Sequence, residues 1–257
     1  MRGYEKDFAQ VYNMRWTHFA KDVAPKIHTF FEANSGDLTS KRILDIACGT
    51  GQLAVYFLEQ GYEVVGLDLS SAMLAHAREN ARAYIEQSKA RFVEADAADF
   101  TMDERFGLAI STFDALNHLP DFDDLAGCFV STAGVLEPGG WFIFDLNTRF
   151  GLQRWGGISV QEEEDLVLIT RGVVSEQEGR AYTQISGFLR RDDGFYERFG
   201  EVAYNTIFAL DDVALALEDA GFDKVYFAAA RALDVPLDAP ETYGRVFIVA
   251  QKSADED

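Results

Sequence analysis

The sequence predicts an α/β fold: a seven-stranded, mostly parallel sheet with an antiparallel last strand, and a small antiparallel β-meander inserted late in the chain. Three observations predict it. Between residues 41 and 150, apolar runs of strand length alternate with segments of helical period, and that alternation builds parallel sheets covered on both faces. From Leu166 to Phe208 the helical period gives way to three extended runs separated by turn signals. After these, a helix and two strands close the chain, joined by a loop that Pro236 and Pro240 bar from helix. A return without a crossover helix makes the last strand antiparallel.

Along the chain, residues 4 to 33 read as helical, with Phe8, Val11, Tyr12, Phe19, Val23, Ile27, Phe30 and Phe31 recurring at intervals of three and four, and Pro25 is expected to divide them. The breakers Asn34-Ser35-Gly36-Asp37 precede a first strand, Arg42 to Ala47, then a glycine turn and a helix from Gln52 to Gln60. Glu63 to Asp68 makes a second strand, and Ser70 caps a helix running to about Gln87. Ala90 to Glu94, Phe106 to Ser111 and Trp141 to Leu146 supply three more strands, with a helix from Leu125 to Val135 before the turn Glu137-Pro138-Gly139-Gly140. The meander strands are 166 to 174, 181 to 190 and 195 to 208, with turns at Glu178-Gly179 and Asp192-Asp193-Gly194. Asp211 to Ala220 is helical, Lys224 to Ala230 and Arg245 to Ala250 are the last strands, and the tail from Ser253 is loose. Three units result: a helical cap (1–40), an α/β core (41–150 and 210–252) and an inserted β subdomain (151–209).

Composition narrows the function. With 48% hydrophobic and 13% aromatic residues, and 21 Phe against 5 Pro, the chain has the apolar content of a globular protein. Its net charge of -20 opposes attraction to phosphate backbones and anionic lipid. Nucleic acid and membrane are therefore not expected partners. The first 40 residues hold five acids and five bases, so the acidic excess lies beyond them. Two cysteines make no disulfide framework, and the N-terminus lacks the apolar run of a signal peptide, so a cytoplasmic location is expected. His18, His28, His76 and His118 are scattered without ligand spacing, and no metal is expected.

Gly49-Thr50-Gly51-Gln52-Leu53-Ala54 fits a Gly-x-Gly-x-x-Ala turn between strand and helix, a pattern that serves more than one nucleoside cofactor. Asp45 lies in the strand itself, where a nicotinamide fold expects an apolar residue, and suits a ligand with a cationic end. Asp68, ending the second strand, can accept hydrogen bonds from both hydroxyls of a ribose. After the third strand, Asp96 with the amide of Ala97 can read an adenine edge. A methyltransferase, a nicotinamide oxidoreductase and a nucleotide-binding module without catalysis all remain open on these residues alone.

Ile43-Leu44-Asp45-Ile46-Ala47-Cys48-Gly49-Thr50-Gly51, Val65-Gly66-Leu67-Asp68, Glu94-Ala95-Asp96 and Leu136-Glu137-Pro138-Gly139-Gly140 resemble, in order, the motifs of class I S-adenosylmethionine-dependent methyltransferases. Phe8 to Asn13, Phe144-Asp145-Leu146-Asn147, Phe195 to Phe199 and Ala220-Gly221-Phe222 are similar to a narrower branch, which includes glycine N-methyltransferase-like and macrolide amino-sugar N-methyltransferases. The resemblance implies a Rossmann-like core, S-adenosyl-L-methionine as cofactor with S-adenosyl-L-homocysteine as product, and a small-molecule acceptor, nitrogen being favoured over oxygen. It further implies that Tyr12 approaches the methionine carboxylate, Asp45 its ammonium, and the amides around Gly49 and Gly51 the methionine part. Asp68 would take the ribose, Asp96 with Ala97 the adenine, and Ala47, Leu69, Met73 and Ser111 would complete the cofactor site. Where the family has a longer polar stretch after its tyrosine, Asn13-Met14-Arg15 leads directly to Trp16.

A sulfonium methyl is already activated, so its transfer needs alignment, exclusion of water and removal of any proton on the nucleophile. The acceptor is expected at the end of the fourth strand, in Ser111 to Leu119. His118 is the candidate general base there because imidazole titrates near neutrality, and Asn117 a candidate substrate ligand. Tyr196 and Arg198 share one face of the third meander strand, opposite Phe195, Glu197 and Phe199. That face would roof the acceptor pocket; alternatively the meander forms a homodimer contact or covers a sheet edge.

Overall fold

The computed structural model describes residues 6–254 except 17, 37, 39 and 192. The predicted helix start at residues 4 and 5, Asp37, Asp192, the tail beyond 254 and the side chain of Phe8 lie outside the described residues. Two helices, α1 (Lys6–Arg15) and α2 (His18–Asn34), precede β1 (Arg42–Ile46), α3 (Gln52–Glu59), β2 (Glu63–Asp68), α4 (Ser71–Asn80), α5 (Arg82–Glu86) and β3 (Ala90–Glu94). Next come β4 (Phe106–Ser111), a 3₁₀ turn (Ala115–His118), α6 (Phe122–Val135), β5 (Leu136–Asn147) and the short α7 (Arg149–Leu152). The inserted strands are β6 (Gly157–Glu162), β7 (Leu166–Ser175), β8 (Arg180–Arg190) and β9 (Tyr196–Thr206). The chain closes with α8 (Leu210–Asp219), β10 (Phe222–Ala229), β11 (Ala232–Pro236) and β12 (Arg245–Lys252).

The core sheet runs β11-β10-β12-β5-β4-β1-β2-β3. Strands β1 to β5 are parallel, and β12 is antiparallel to both β5 and β10, so the last strand runs as the proline-barred loop requires. The two faces of β5 show what holds the layers. Phe142, Phe144 and Leu146 pack with Phe129 of α6 and Leu217 of α8, whereas Trp141 and Ile143 pack with Phe30 of α2 and Phe57 of α3. Burial on both sides is what makes a parallel strand a continuous apolar run.

Four expectations are corrected. Pro25 lies inside α2 rather than between helices. It is exposed, as is Lys21, so the carbonyl deprived of a helical partner faces water while Val23, Ala24, Ile27 and Phe30 stay buried. The helix after Ser70 breaks at Ala81 into α4 and α5. The core sheet has eight strands, because Ala232–Pro236, read as loop, adds to the edge of β10, where a proline at the strand end costs no ladder bond that matters. The inserted sheet has four strands in the order β6-β7-β8-β9, not three. All six residues of β6 are exposed, so its Ile158 and Val160 carry no burial signal, yet it pairs with β7 along its length.

On the inner face of the inserted sheet, Leu166, Leu168, Ile185 and Phe199 pack with Ala9 and Val11 of α1 and Met73 of α4. This small core sets the inserted sheet and α1 over the carboxyl ends of the parallel strands, where an open α/β sheet binds its ligands.

Candidate active site

The turn after β1 is shaped by backbone conformation. Ala47, Gly49 and Gly51 have φ of 53°, 54° and 79°, and Gly51 is the cap residue of α3. Such angles suit glycine and cost an L-residue such as Ala47 free energy. The loop is tied down from β2: the Cys48 N–H donates to the Leu67 carbonyl at 2.8 Å. The Gly49 N–H donates to Asp68 Oδ2 and the Ser70 N–H to Asp68 Oδ1, both at 2.8 Å. Asp68 therefore joins loop and strand through one carboxylate, with a second lone pair left on each oxygen. Burial pushes its carboxyl up, while the amides of Ser70 and Gly49 and the nearby His118 pull it down. Asp45 is 3% exposed, and its Oδ2 has no partner among the described residues. Burial, with the charge of Asp68, pushes its carboxyl up to about 8.

A cavity of ≈ 440 Å³ begins at this loop, lined by Ala47, Gly49, Asp68, Leu69 and Met73, with Asp96 and Ala97 after β3 and Tyr12 from α1. It continues past Phe113, Asp114 and His118 to a far wall from the inserted sheet: Thr170, Thr183, Ile185, Ala203 and Asn205, with Trp155 beside them. Asp96 Oδ1 accepts the Ala98 N–H at 2.9 Å, which fixes that turn. The His118 Nδ1 lies 2.7 Å from the Tyr204 carbonyl oxygen. A carbonyl only accepts, so Nδ1 carries the proton and Nε2 is the basic nitrogen of the neutral ring. Arg245 reaches in from β12, pairing with Asp145 and with Asp114 Oδ1 at 2.5 Å, and its guanidinium lies 4.8 Å from the Phe19 ring centre. The charges of Asp145 and Asp114 hold Arg245 protonated against the opposing effect of burial.

Of the residues singled out from sequence, Tyr12, Ala47, Gly49, Asp68, Leu69, Met73, Asp96, Ala97 and His118 meet at this cavity. Asp45, Gly51 and Ser111 do not line it; they stand behind the loop or within the sheet, and Ser111 Oγ is buried without a partner among the described residues. Three substrate-ligand candidates are corrected. Asn117 is fully buried: its Nδ2 donates to the carbonyls of Asn147 and Thr206, and its Oδ1 accepts the Asn147 N–H at 2.8 Å. Its side chain is spent on holding β5 and β9 together. Tyr196 and Arg198 lie on the outer face of β9, because Phe199 and Ala203 turn the odd-numbered residues inward. The Tyr196 hydroxyl donates to the Glu164 carbonyl at 2.6 Å, away from the cavity.

Sequence reasoning missed Asp114, Trp155, Thr170, Thr183, Asn205 and Arg245. Asn205 shares parity with Phe199 and Ala203, the buried apolar residues of β9, but Tyr196, Val202 and Tyr204 have the other parity, so only burial tells the two faces apart. For Trp155 and Arg245 nothing local marks the role.

Compared with known proteins, the chain is 30% identical over 216 residues to a protein of Geobacillus sp. (strain WCH70) that bears the name of a methyltransferase, covering 83% of this chain and 85% of that one. The chain belongs to the S-adenosylmethionine-dependent methyltransferases. A family model described as a methyltransferase domain matches residues 43–140, the span from β1 to the turn in β5. The fold is also that of an S-adenosylmethionine-dependent methyltransferase from Clostridium acetobutylicum ATCC 824, with a TM-score of 0.80 at 22% identity over 96% of this chain and 98% of that one. A dTDP-3-amino-3,4,6-trideoxy-alpha-D-glucopyranose N,N-dimethyltransferase of Streptomyces venezuelae is 31% identical over 138 residues, covering 53% of this chain and 56% of that one. The methyltransferase therefore uses S-adenosylmethionine, which resolves the choice of nucleoside cofactor that the glycine run left open. Among the described residues no helix is long and apolar enough to cross a membrane.

Proposed function

We propose that this methyltransferase methylates an amine nitrogen of a small molecule seated between the His118 turn and the inserted sheet. The observation that carries it is His118 itself, with Nδ1 on the Tyr204 carbonyl and Nε2 basic, in a cavity lined by Asp68, Asp96, Asp114 and Asp124 with Arg245 as the opposing cation. An acidic cavity favours a protonated amine, and a protonated amine needs a base. The amino-sugar relative, an N,N-dimethyltransferase by name, supports nitrogen. Incubation with methyl-labelled cofactor and a panel of amines, alcohols and phenols tests the reading: label on amines sustains it, and label on oxygen alone overturns it.

The residues fit the cofactor in a specific way. Asp45 stands behind the glycine loop with a buried carboxyl oxygen that has no partner among the described residues, as an ammonium ligand would need, and the cavity-lining backbone of Ala47 and Gly49 would face the rest of the methionine part. Asp68 would accept the ribose hydroxyls on its remaining lone pairs, and Asp96 Oδ2 with the Ala97 amide would take the adenine. Tyr12, Leu69 and Met73 would wall the site. Bound S-adenosylmethionine supplies a methyl group already activated by its sulfonium. His118 Nε2 would take the proton of the acceptor ammonium, leaving the nitrogen lone pair free, while Nδ1–H stays on Tyr204. Phe113, Tyr12 and Trp155 would exclude water around the acceptor.

Asp45 makes cofactor binding depend on pH. Its carboxyl is pushed up to about 8, so near pH 7 the unliganded site holds a proton that must leave before an ammonium can pair there. Affinity should rise with pH up to about 8 and then level off. The same shift means the folded chain binds this proton and the unfolded chain, with an ordinary carboxyl near ~3.9, does not. Asp45 therefore costs the unliganded protein stability as pH climbs from about 4 to about 8. Calorimetry of S-adenosylhomocysteine binding in buffers of different ionisation heat should show proton release that Asp45→Asn abolishes. Equal release from both proteins would remove Asp45 from the ammonium site.

We further infer that a second copy of the chain covers the outer face of the inserted sheet. There Ile158, Val160, Val173, Phe188 and Val202 share one face by register and are 42% to 71% exposed. Four strands up to 11 residues long, spaced ~4.8 Å apart, offer roughly 700 Å² per copy, close to the ~800 Å² of a standard interface. Sedimentation should give a dimer that Val160→Lys with Val202→Lys dissociates; a wild-type monomer at micromolar concentration would contradict this.

A further inference from the structure

Immediately after β4 the chain makes an uncommon bend. Phe113 and Asp114 are consecutive non-glycine residues with φ of 67° and 49°, a left-handed conformation that L-residues adopt in succession only when something outside the bend imposes it. Here that something is Asp145 of β5. Its side chain is wholly buried; Oδ1 accepts the Phe113 N–H at 2.6 Å, and Oδ2 accepts the Asp114 N–H at 3.0 Å. Arg245 donates to the same Oδ2 and, through its other terminal nitrogen, to Asp114 Oδ1. One carboxylate thus captures both amides of the bend, and one guanidinium spans the two carboxylates.

The bend sets the course of the adjoining 3₁₀ turn. Asp114 caps that turn, which ends in His118, and its carbonyl accepts the Asn117 N–H at 3.0 Å. The turn is stitched to the end of β9: Asn205 Nδ2 donates to Asp114 Oδ2 at 3.0 Å, His118 meets the Tyr204 carbonyl, and Thr206 Oγ1 donates to the Leu119 carbonyl at 2.7 Å. Every one of these contacts presupposes the direction in which residues 113 and 114 leave β4.

We propose that Asp145 is a positioning residue for methyl transfer: held by Arg245, it imposes the left-handed bend at Phe113 and Asp114, and through it fixes the tautomer and orientation of His118. The proposal rests on the reading of His118 as the base. An asparagine at 145 would fit the space but present an N–H₂ to an amide or to the guanidinium, so one N–H of the bend would lose its acceptor.

The test uses the full chain labelled with ¹⁵N-histidine and saturated with S-adenosylhomocysteine, observed by NMR, with calorimetry and thermal melting alongside. In the wild type, His118 should be the Nδ1–H tautomer; an Nε2–H ring would overturn the base reading and this inference with it. In Asp145→Asn, S-adenosylhomocysteine affinity should stay within a few-fold of wild type while His118 loses its single tautomer for the mixture of an imidazole in water. A folded Asp145→Asn that keeps the Nδ1–H form leaves the base reading standing and overturns the positioning role. Should Asp145→Asn not fold, Arg245→Lys decides: one ammonium cannot span both carboxylates, so the tautomer should shift there too, and an unshifted ring overturns the proposal.

Discussion

Replacing Asp68 by alanine should weaken S-adenosylhomocysteine binding by about 10²- to 10⁴-fold, at roughly 1.5–3 kcal/mol for each of two ribose hydrogen bonds to a carboxylate. The loss has a second source, because Asp68 also receives the Gly49 and Ser70 amides at 2.8 Å. Without the carboxylate the Gly49 amide loses its acceptor, and the left-handed turn at the end of the cavity proposed for the cofactor keeps the bond from Cys48 to Leu67 but loses this second tie to β2. Asp68→Asn separates the two contributions. Its one carbonyl oxygen can keep an amide while offering the ribose a poorer acceptor, so it should recover melting temperature more than affinity. Calorimetry and thermal melting of both variants provide the check. Unchanged affinity in a folded Asp68→Ala protein would take Asp68 out of the site.

His118→Ala should lower kcat by about 10²- to 10⁴-fold on an amine acceptor, the usual contribution of a general base. Cofactor affinity should stay nearly unchanged, since the cofactor end of the cavity is built by other residues. The variant also leaves the Tyr204 carbonyl without its 2.7 Å partner, a stability cost of about 1 kcal/mol. A shifted melting temperature is therefore expected and is not itself a loss of chemistry. The pH profile of kcat/KM discriminates, because a base leaves an acidic limb at its own pKa and that limb must vanish in the variant. A variant that keeps both rate and limb would leave proximity and desolvation as the sources of rate enhancement.

The sequence by itself determined which residues meet at one end of the cavity, the end proposed for the cofactor. Gly49, Asp68 and Asp96 fall within about fifty consecutive residues, each at the end of a strand or in the turn beyond it. In a parallel sheet, strand order and strand ends alone bring such positions together. Local signals suffice there because the geometry is local: glycines mark the tight turn, apolar runs mark the strands, and the acids stand where a strand stops. The tertiary structure decided the other end, the one proposed for the acceptor. Its wall is gathered from α1, the turn after β4, Trp155, three inserted strands and the first residue of β12, and no sequence window contains them together. Parity decided which inserted residues face inward: Phe199 packing under α1 turned Ala203 and Asn205 to the cavity and sent Tyr196 and Arg198 outward. Long-range ion pairing decided the rest. Asp145 reads in sequence as one acid in a buried strand, and its contact with Arg245, 100 residues away, opposes the upward push of burial on its carboxyl and shows why an acid is tolerated there. A buried carboxylate needs a partner, and the fold, not the neighbouring residues, brings one.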